Sequence, residues 1–400
     1  MSSPIYSFLT PVVKLALQVA YRRIDDNQLS GKIPKDSPVI IVSNHQNALI
    51  DPLLICVSSK RQVSFLTRAS AFKNPVVAKI LKQFNMLPIY RPRDSVDIKV
   101  ANESVFEESI RRLCEGGIIG IFPEGSHGGR RKLRPLRKGF ARMARMCLES
   151  DCDPFILPVG LDFSSQYDLN SRAILLPGRG FYSSEIGNLE MDEKQFYIAM
   201  VQEASIRIRE VSLEIEDEAS DKLLWRLDQI AWNDPDLIRI EDRQKFTDKL
   251  ALKSEEQKIE LKNKLKDYQK KLLAAERLDI NLHSPQQSIL TRTIVLLGEF
   301  FSWPLRKITE NQVEKTKDPQ FIATIRFTLL LIITPFYLIL MLLIIAWFTS
   351  FFISVLSVSL IASTMYIRWK LIKSQVALSA LSSKQKDELI QVRSEVEKLL

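Results

Sequence analysis

The sequence predicts an α/β domain, then a charged helical insertion, then a C-terminal transmembrane helical hairpin. Three observations predict it. Between residues 37 and 163, short apolar runs alternate with helix-length patterns, the signature of strands and crossover helices. Beyond residue 215 the chain becomes dense in Lys and Glu. Residues 327–367 then contain no charged side chain, although 26% of the 400 residues are charged.

Residues 4–21 are apolar but interrupted by Lys14 and Gln18, and Arg22 and Arg23 follow. The stretch is short for a membrane span and lacks the basic start of a signal peptide. An interfacial helix over residues 1–30 fits it, and so does a helix packed on the domain behind it. The runs 38–43, 63–66, 86–89, 117–122 and 155–159 read as mostly buried strands, and 173–176 as a further one. The intervening stretches 52–59, 75–84, 96–115 and 138–150 have helix length, and 193–216 reads as another helix. Residues 246–277 read as a longer helical segment, with Leu265, Tyr268 and Leu272 at helical spacing in a charged, solvated insertion or hairpin. Residues 289–305 are apolar but carry Arg292 and Glu299, and Trp303 suits the headgroup level.

The charge-free block is long enough for two spans of about 20 residues each, with a turn at Thr349-Ser350. Lys315, Lys317 and Arg326 precede it, and Arg368, Lys370 and Lys373 follow it. Basic residues favour the cytoplasmic side, so both ends of the hairpin are expected to face the cytosol.

The net charge of +9 favours an anionic partner, nucleic acid or an acidic lipid surface. The chain has no zinc-finger spacing, aromatic-rich binding signature or recognition motif for nucleic acid. The apolar block favours the bilayer. Cys56, Cys114, Cys147 and Cys152 match no zinc spacing and are expected as reduced thiols in a cytosol-facing domain.

Two stretches carry chemistry. His45, one of three histidines, follows the apolar run 38–43, and Asp51 lies six residues on. A histidine past a buried strand with a carboxylate downstream can form a base and its orienting partner. The second stretch is Gly120-Ile-Phe-Pro-Glu-Gly-Ser-His127, which opens into Gly128-Gly-Arg-Arg-Lys-Leu-Arg134. A glycine turn with several guanidinium groups makes a phosphate site.

In order along the chain stand Asn44-His45 with Asp51-Pro52; Thr67-Arg68, Phe72-Lys73 and Ile89-Tyr-Arg91; Phe122-Pro-Glu-Gly125; and Ile156-Leu-Pro158-Val. This series resembles the four motifs of the glycerolipid acyltransferase family, which includes glycerol-phosphate and 1-acyl-glycerol-3-phosphate acyltransferases. The resemblance covers residues 35–165. Five residues separate His45 from Asp51, where the family usually has four, and Ser126-His127 stands where it commonly has Thr-Arg. The second departure resembles a branch acting on glycerol phosphate or dihydroxyacetone phosphate.

The resemblance implies an acyltransferase-type α/β catalytic domain over 31–215. The charged helical insertion would then occupy 216–285, an interfacial segment 286–320, the transmembrane hairpin 321–370 and a cytosolic helical tail 371–400. It also implies direct transfer of a fatty acyl group from acyl-CoA or acyl-carrier protein to a hydroxyl of 1-acyl-glycerol-3-phosphate, or of glycerol 3-phosphate or dihydroxyacetone phosphate. A membrane scaffold that keeps the fold without catalysis is the alternative of another class, and the intact His45, Asp51 and Glu124 argue against it. No Gly-x-Ser-x-Gly elbow for an acyl-enzyme exists, because Glu124 stands two residues before Ser126. His45 is the expected base and Asp51 its orienter. Arg91, Arg130 and Arg131 are expected at the acceptor's phosphate, with Lys73 and Arg68 as further candidates. Glu124 and Gly125 shape the acceptor loop, with Glu124 holding an arginine or a substrate hydroxyl. No cofactor or metal is expected. The expected partners are the bilayer, the acyl donor and the glycerophosphate-type acceptor, with no nucleic acid.

Overall fold

The computed structural model describes residues 4–73, 75–90, 97–169, 171–230, 240–274, 289–316, 318–373, 387, 391 and 394. The chain forms two compact units, one of residues 1–18, 23–163 and 173–214, the other of 19–22, 164–172 and 215–400.

The first unit is built on a mixed sheet. Its strands are β1 Arg23–Asp25, β2 Val39–Ser43, β3 Val63–Arg68, β4 Leu87–Ile89, β5 Ile118–Ile121, β6 Phe155–Phe163, β7 Arg172–Pro177 and β8 Phe181–Tyr182. They lie in the order β1-β7-β6-β2-β5-β3-β4, with β8 also on β6. β2 runs parallel to both β5 and β6, and β3 runs parallel to β5 and β4. β7 and β8 return antiparallel on β6. The central strand β2 is buried throughout, as a continuous apolar run covered on both faces requires.

The helices of this unit are α1 Pro4–Ala20, α2 Leu29–Lys32, α3 Ile50–Ser59, α4 Pro75–Gln83, α5 Ile98–Cys114, α6 Gly139–Leu148, α7 Ser183–Ile186 and α8 Glu193–Arg209. Phe140, Met143 and Ala144 of α6 and Phe196, Met200 and Ala204 of α8 close one core over Ile40, Val42, Ile119 and Ile156 of the strands. α1 buries Tyr6, Val13 and Leu17 and leaves Phe8, Val12 and Leu15 exposed. α8 ends at Arg209 and not at residue 216. α3 begins at Ile50, which puts Asp51 in its first turn. The proline at position 52 is tolerated there because first-turn N–H groups have no intrahelical acceptor.

In the second unit α9 Glu218–Ile230, α10 Ile240–Ala251 and α11 Glu255–Ala274 precede α12 Ile289–Glu314, α13 Ile322–Phe348 and α14 Phe351–Lys373. Two features differ from expectation. The helical segment expected over 246–277, as an insertion or a hairpin, is broken after Ala251, because Ser254 and Gln257 form a reciprocal cap. Gln257 N donates to Ser254 Oγ at 3.2 Å and Ser254 N donates to Gln257 Oε1 at 3.0 Å. Nor is the segment solvated all round. Leu261, Leu265 and Tyr268 of α11 are buried, as are Leu223 and Leu224 of the adjacent α9. Lys258 pairs with Asp217 at 2.9 Å. Hydrogen bonding from Ser220, then from Lys258, holds the Asp217 carboxyl below the usual carboxylate range.

α12, α13 and α14 pack on one another. α13 and α14 are long and apolar enough to cross a membrane, and the break between them is Thr349-Ser350. Phe336, Leu343 and Trp347 of α13 are exposed, as are Phe352, Leu356 and Leu360 of α14. α12 runs nine residues past the expected end at 305, straight through Pro304. Gly298 is where α12 meets α14: a Cβ there would sit 2.5 Å from Thr364 O and 2.8 Å from Arg368 Cβ. Beside it Glu299 of α12 pairs with Arg368 of α14 and with Arg306.

Candidate active site

The site lies where adjacent parallel strands end. Val42 of β2 is in register with Ile121 of β5, so the loops that follow, carrying His45 and Glu124, leave the same edge of the sheet side by side. Ligands bind at this carboxyl edge in open α/β sheets.

Asn44 anchors the first loop. Its amide accepts from Leu161 N at 2.7 Å and donates to Leu161 O at 2.8 Å, which fastens it to β6. Asp51, buried in the first turn of α3, points back at the loop. Its Oδ2 lies 2.8 Å from His45 Nδ1 and accepts the backbone N–H groups of Gln46 at 2.8 Å and Asn47 at 2.7 Å. The carboxylate therefore holds the loop and orients the imidazole together. Donation from Nδ1 to Asp51 leaves Nε2 with its lone pair, the tautomer a general base needs. The five intervening residues are absorbed in the bend that these two N–H groups close.

The ring of Phe122 stacks on His45 with centroids 4.0 Å apart and planes 13° apart, and Phe65 stacks behind it at 5.6 Å. His127 meets His45 edge-on at 5.7 Å. The imidazole is thus locked in the plane that Asp51 selects. The backbone joins the two loops as well: His45 N donates to Glu124 Oε1 at 2.9 Å, and Gly128 N donates to His45 O at 2.9 Å.

Glu124 holds an arginine, the last one of the loop read from the sequence and not one of those expected at the phosphate. Its other oxygen pairs with Arg134 Nε at 2.5 Å, and Arg134 also donates to Ser126 Oγ at 2.7 Å and to Ser126 O. Gly125 adopts φ +76°, a left-handed turn that suits glycine. A Cβ there would lie 2.6 Å from Arg137 Nε, so this exposed side chain lies directly over the turn.

The expected phosphate ligands separate. Arg130 is exposed and lines a cavity of about 200 Å³ with Gly128, Gly129, Lys132 and Arg134. Arg68 and Lys73 are exposed at and just past the end of β3, on the same sheet edge. Arg131 is not among them. It is 1% exposed, paired with Asp162 at 3.0 Å and donating to Phe163 O at 2.7 Å. A guanidinium held inside by a buried carboxylate fastens the loop to β6 and is out of a ligand's reach. Arg91 lies outside the described residues. Tyr90 before it is fixed by Asn102, whose amide bonds both its N–H and its C=O at 2.9 Å.

Residues 27–162, which hold all of these groups, match the family model named Acyltransferase. The chain carries a domain of the acyltransferase family. Glycerol-3-phosphate O-acyltransferase 1 of Saccharomyces cerevisiae is 22% identical over 36% of this chain and 31% of its own length. The 1-acyl-sn-glycerol-3-phosphate acyltransferase of Borreliella burgdorferi is 34% identical over 29% of this chain and 44% of its own. The chain thus spans less than half the length of either relative. Among solved structures, the 1-acyl-sn-glycerophosphate acyltransferase PlsC of Thermotoga maritima aligns with a TM-score of 0.35 and 20% identity, over 50% of this chain and 78% of its own. The acyltransferase domain puts the motif histidine, its aspartate and the motif glutamate in one hydrogen-bonded constellation. Sequence reasoning placed Arg134 in the basic loop without a role of its own, and missed Arg137 and the stacking role of Phe122. The first two lie in the part of the loop that folds back, where Arg137 N donates to Pro123 O at 2.8 Å, and no local spacing signals that return.

Proposed function

We propose that this chain is a membrane-anchored O-acyltransferase that passes a fatty acyl group from acyl-CoA or acyl-carrier protein to the free hydroxyl of 1-acyl-glycerol-3-phosphate, in phospholipid synthesis. The observation that carries this reading is the contact of His45 Nδ1 with Asp51 Oδ2 at 2.8 Å, beside the glycine turn and its cations. His45 Nε2 takes the proton of the acceptor hydroxyl. The alkoxide oxygen bonds to the thioester carbonyl carbon, the carbon–sulfur bond breaks, and the thiolate leaves with the proton held on the imidazolium. Asp51 supports that cation. Glu124 and Gly125 shape the acceptor loop. Arg130 and Arg137 receive the acceptor's phosphate, with Lys73 and Arg68 as further cations at that edge and Arg91, outside the described residues, as a further candidate. His45, Asp51 and Glu124 stand together without need of a resident cofactor.

α13 and α14 cross the bilayer as a hairpin, and α1 lies along its surface with Phe8, Val12 and Leu15 toward lipid. The catalytic domain then faces the cytosol, where the donor is. Such an enzyme meets a soluble donor and a bilayer acceptor at one interface. Glycerol 3-phosphate is the second acceptor reading, favoured by Ser126-His127 after the Pro-Glu-Gly turn and by the name of the yeast relative. Purification of the full chain in detergent, with labelled acyl-CoA and acyl-carrier protein offered against both acceptors and dihydroxyacetone phosphate, tests it. Transfer to 1-acyl-glycerol-3-phosphate is expected; transfer to glycerol 3-phosphate alone favours the second reading, and no transfer to any of the three overturns both.

A further inference from the structure

Three of the four cysteines, read from spacing as unrelated, meet in space. The Sγ atoms of Cys114, Cys147 and Cys152 all lie within 4.8 Å of one another. Cys114 is the last residue of α5 and Cys147 stands in the last turn of α6. Cys152 is returned over Cys147 by a tight turn. Ser150 N and Cys152 N both donate to Cys147 O at 2.9 Å, and Asp151 takes φ +54°.

The electrostatics of the cluster favour a cation over a reactive thiolate. Two helices end on it, and each C-terminus carries about half a negative charge. A thiophilic divalent cation reverses the balance, since it supplies the charge that the helix ends lack. With metal–sulfur bonds of about 2.3 Å, a tetrahedral site needs sulfurs roughly 3.8 Å apart, a small contraction from the spacing observed. Cys147 is buried and Cys114 exposed, which leaves an outward fourth position for solvent.

We propose that Cys114, Cys147 and Cys152 bind one zinc-class ion, as a structural site that ties the ends of α5 and α6 to the start of β6. Each thiol releases its proton to solvent as its metal–sulfur bond forms, so affinity rises with pH. The site stands apart from the chemistry. Cys114 precedes β5 and Cys152 precedes β6, at the amino edge of parallel strands, whereas His45 and Glu124 follow β2 and β5 at the opposite edge.

Cobalt(II) titration of the reduced full chain in detergent is the test, with zinc as competitor. One equivalent is expected to bind, with thiolate-to-cobalt charge transfer and the visible bands of a tetrahedral site, both lost on adding zinc. Cys114→Ser, at an exposed position, is expected to fold and to weaken cobalt binding by at least about 10-fold, since even outer-sphere losses cost that much. The thermal midpoint of the wild-type chain should fall on chelation, and that of Cys114→Ser should not move. Cobalt uptake without charge transfer overturns the proposal, as does a band untouched in both Cys114→Ser and Cys152→Ser. A Cys114–Cys152 disulfide that forms in air while the reduced protein ignores cobalt would make the cluster a redox pair and also overturn it.

Discussion

At the scale of single residues, His45 and Asp51 divide the work differently from what their positions suggest. On the proposed mechanism His45→Ala removes only the base, because loop and strand are held by Asn44, Asp51 and Glu124. Acyl transfer should fall by about 10²–10⁴-fold with circular dichroism unchanged; near-wild-type turnover would remove His45 from the chemistry. Asp51 also accepts two backbone N–H groups, so Asp51→Asn should lower both turnover and the thermal midpoint. A variant that loses midpoint alone would make Asp51 purely structural. The arginines separate in the same way. Arg137→Ala should raise the acceptor KM by about 10–100-fold, the loss of one charge-assisted contact of about 1.5–3 kcal/mol, and leave the donor KM alone. Arg131→Ala should destabilise the fold by about 3–5 kcal/mol instead, since it strands the buried Asp162. The motif residues were legible because their order along the chain is distinctive. Which arginine faces solvent was not, because Arg130 and Arg131 are neighbours in sequence and differ only in which way the backbone turns them.

At the scale of elements, periodicity carried what was long and failed on what was short. The strands β2, β3, β5 and β6 are continuous apolar runs, each visible without structure. β1 has three residues and β8 two, too few to show any period. The break between α10 and α11 was written in the sequence as Ser254-Glu-Glu-Gln257, a capping box, but the surrounding charge pattern hid it. The close crossing of α12 and α14 was hidden for another reason, since a lone glycine in an apolar helix gives no sign of what approaches it. Gly298→Ala should push the two helices apart, because the new methyl meets backbone on α14 and not the end of a flexible side chain. Overpacking of this kind costs about 1–3 kcal/mol. A lowered thermal midpoint of the detergent-solubilised chain, with KM values unchanged, is the expected result. An unchanged midpoint would mean that the crossing is looser than the structure has it.

At the scale of the whole molecule, the proposed hairpin of α13 and α14 would decide on which side of the bilayer the chemistry happens. At ~1.5 Å per residue, the 27 residues of α13 reach about 40 Å, more than the ~30 Å hydrocarbon core. α14, with 23 residues, is long and apolar enough to cross it once more. The two residues between them allow only a return, so a crossing by α13 brings the chain back through α14. On that reading Arg326 marks where the first helix leaves water. It pairs with Glu310 at 2.9 Å and with Asp168 at 3.0 Å, a doubly compensated cation that has no reason to enter lipid. Arg368 near the other end pairs with Glu299. The sequence reads the same way, because the charge-free block is long enough for two spans and the basic residues on both flanks share one cytoplasmic preference. Protease-cleavable epitopes inserted between Glu314 and Asp318 and at the C-terminus should therefore share one fate in sealed vesicles. Both are expected to be cut from the cytosolic side and both protected when the vesicles are inverted. If one is cut and the other protected, the chain crosses an odd number of times, and one of the two apolar helices lies along the membrane surface instead of through it.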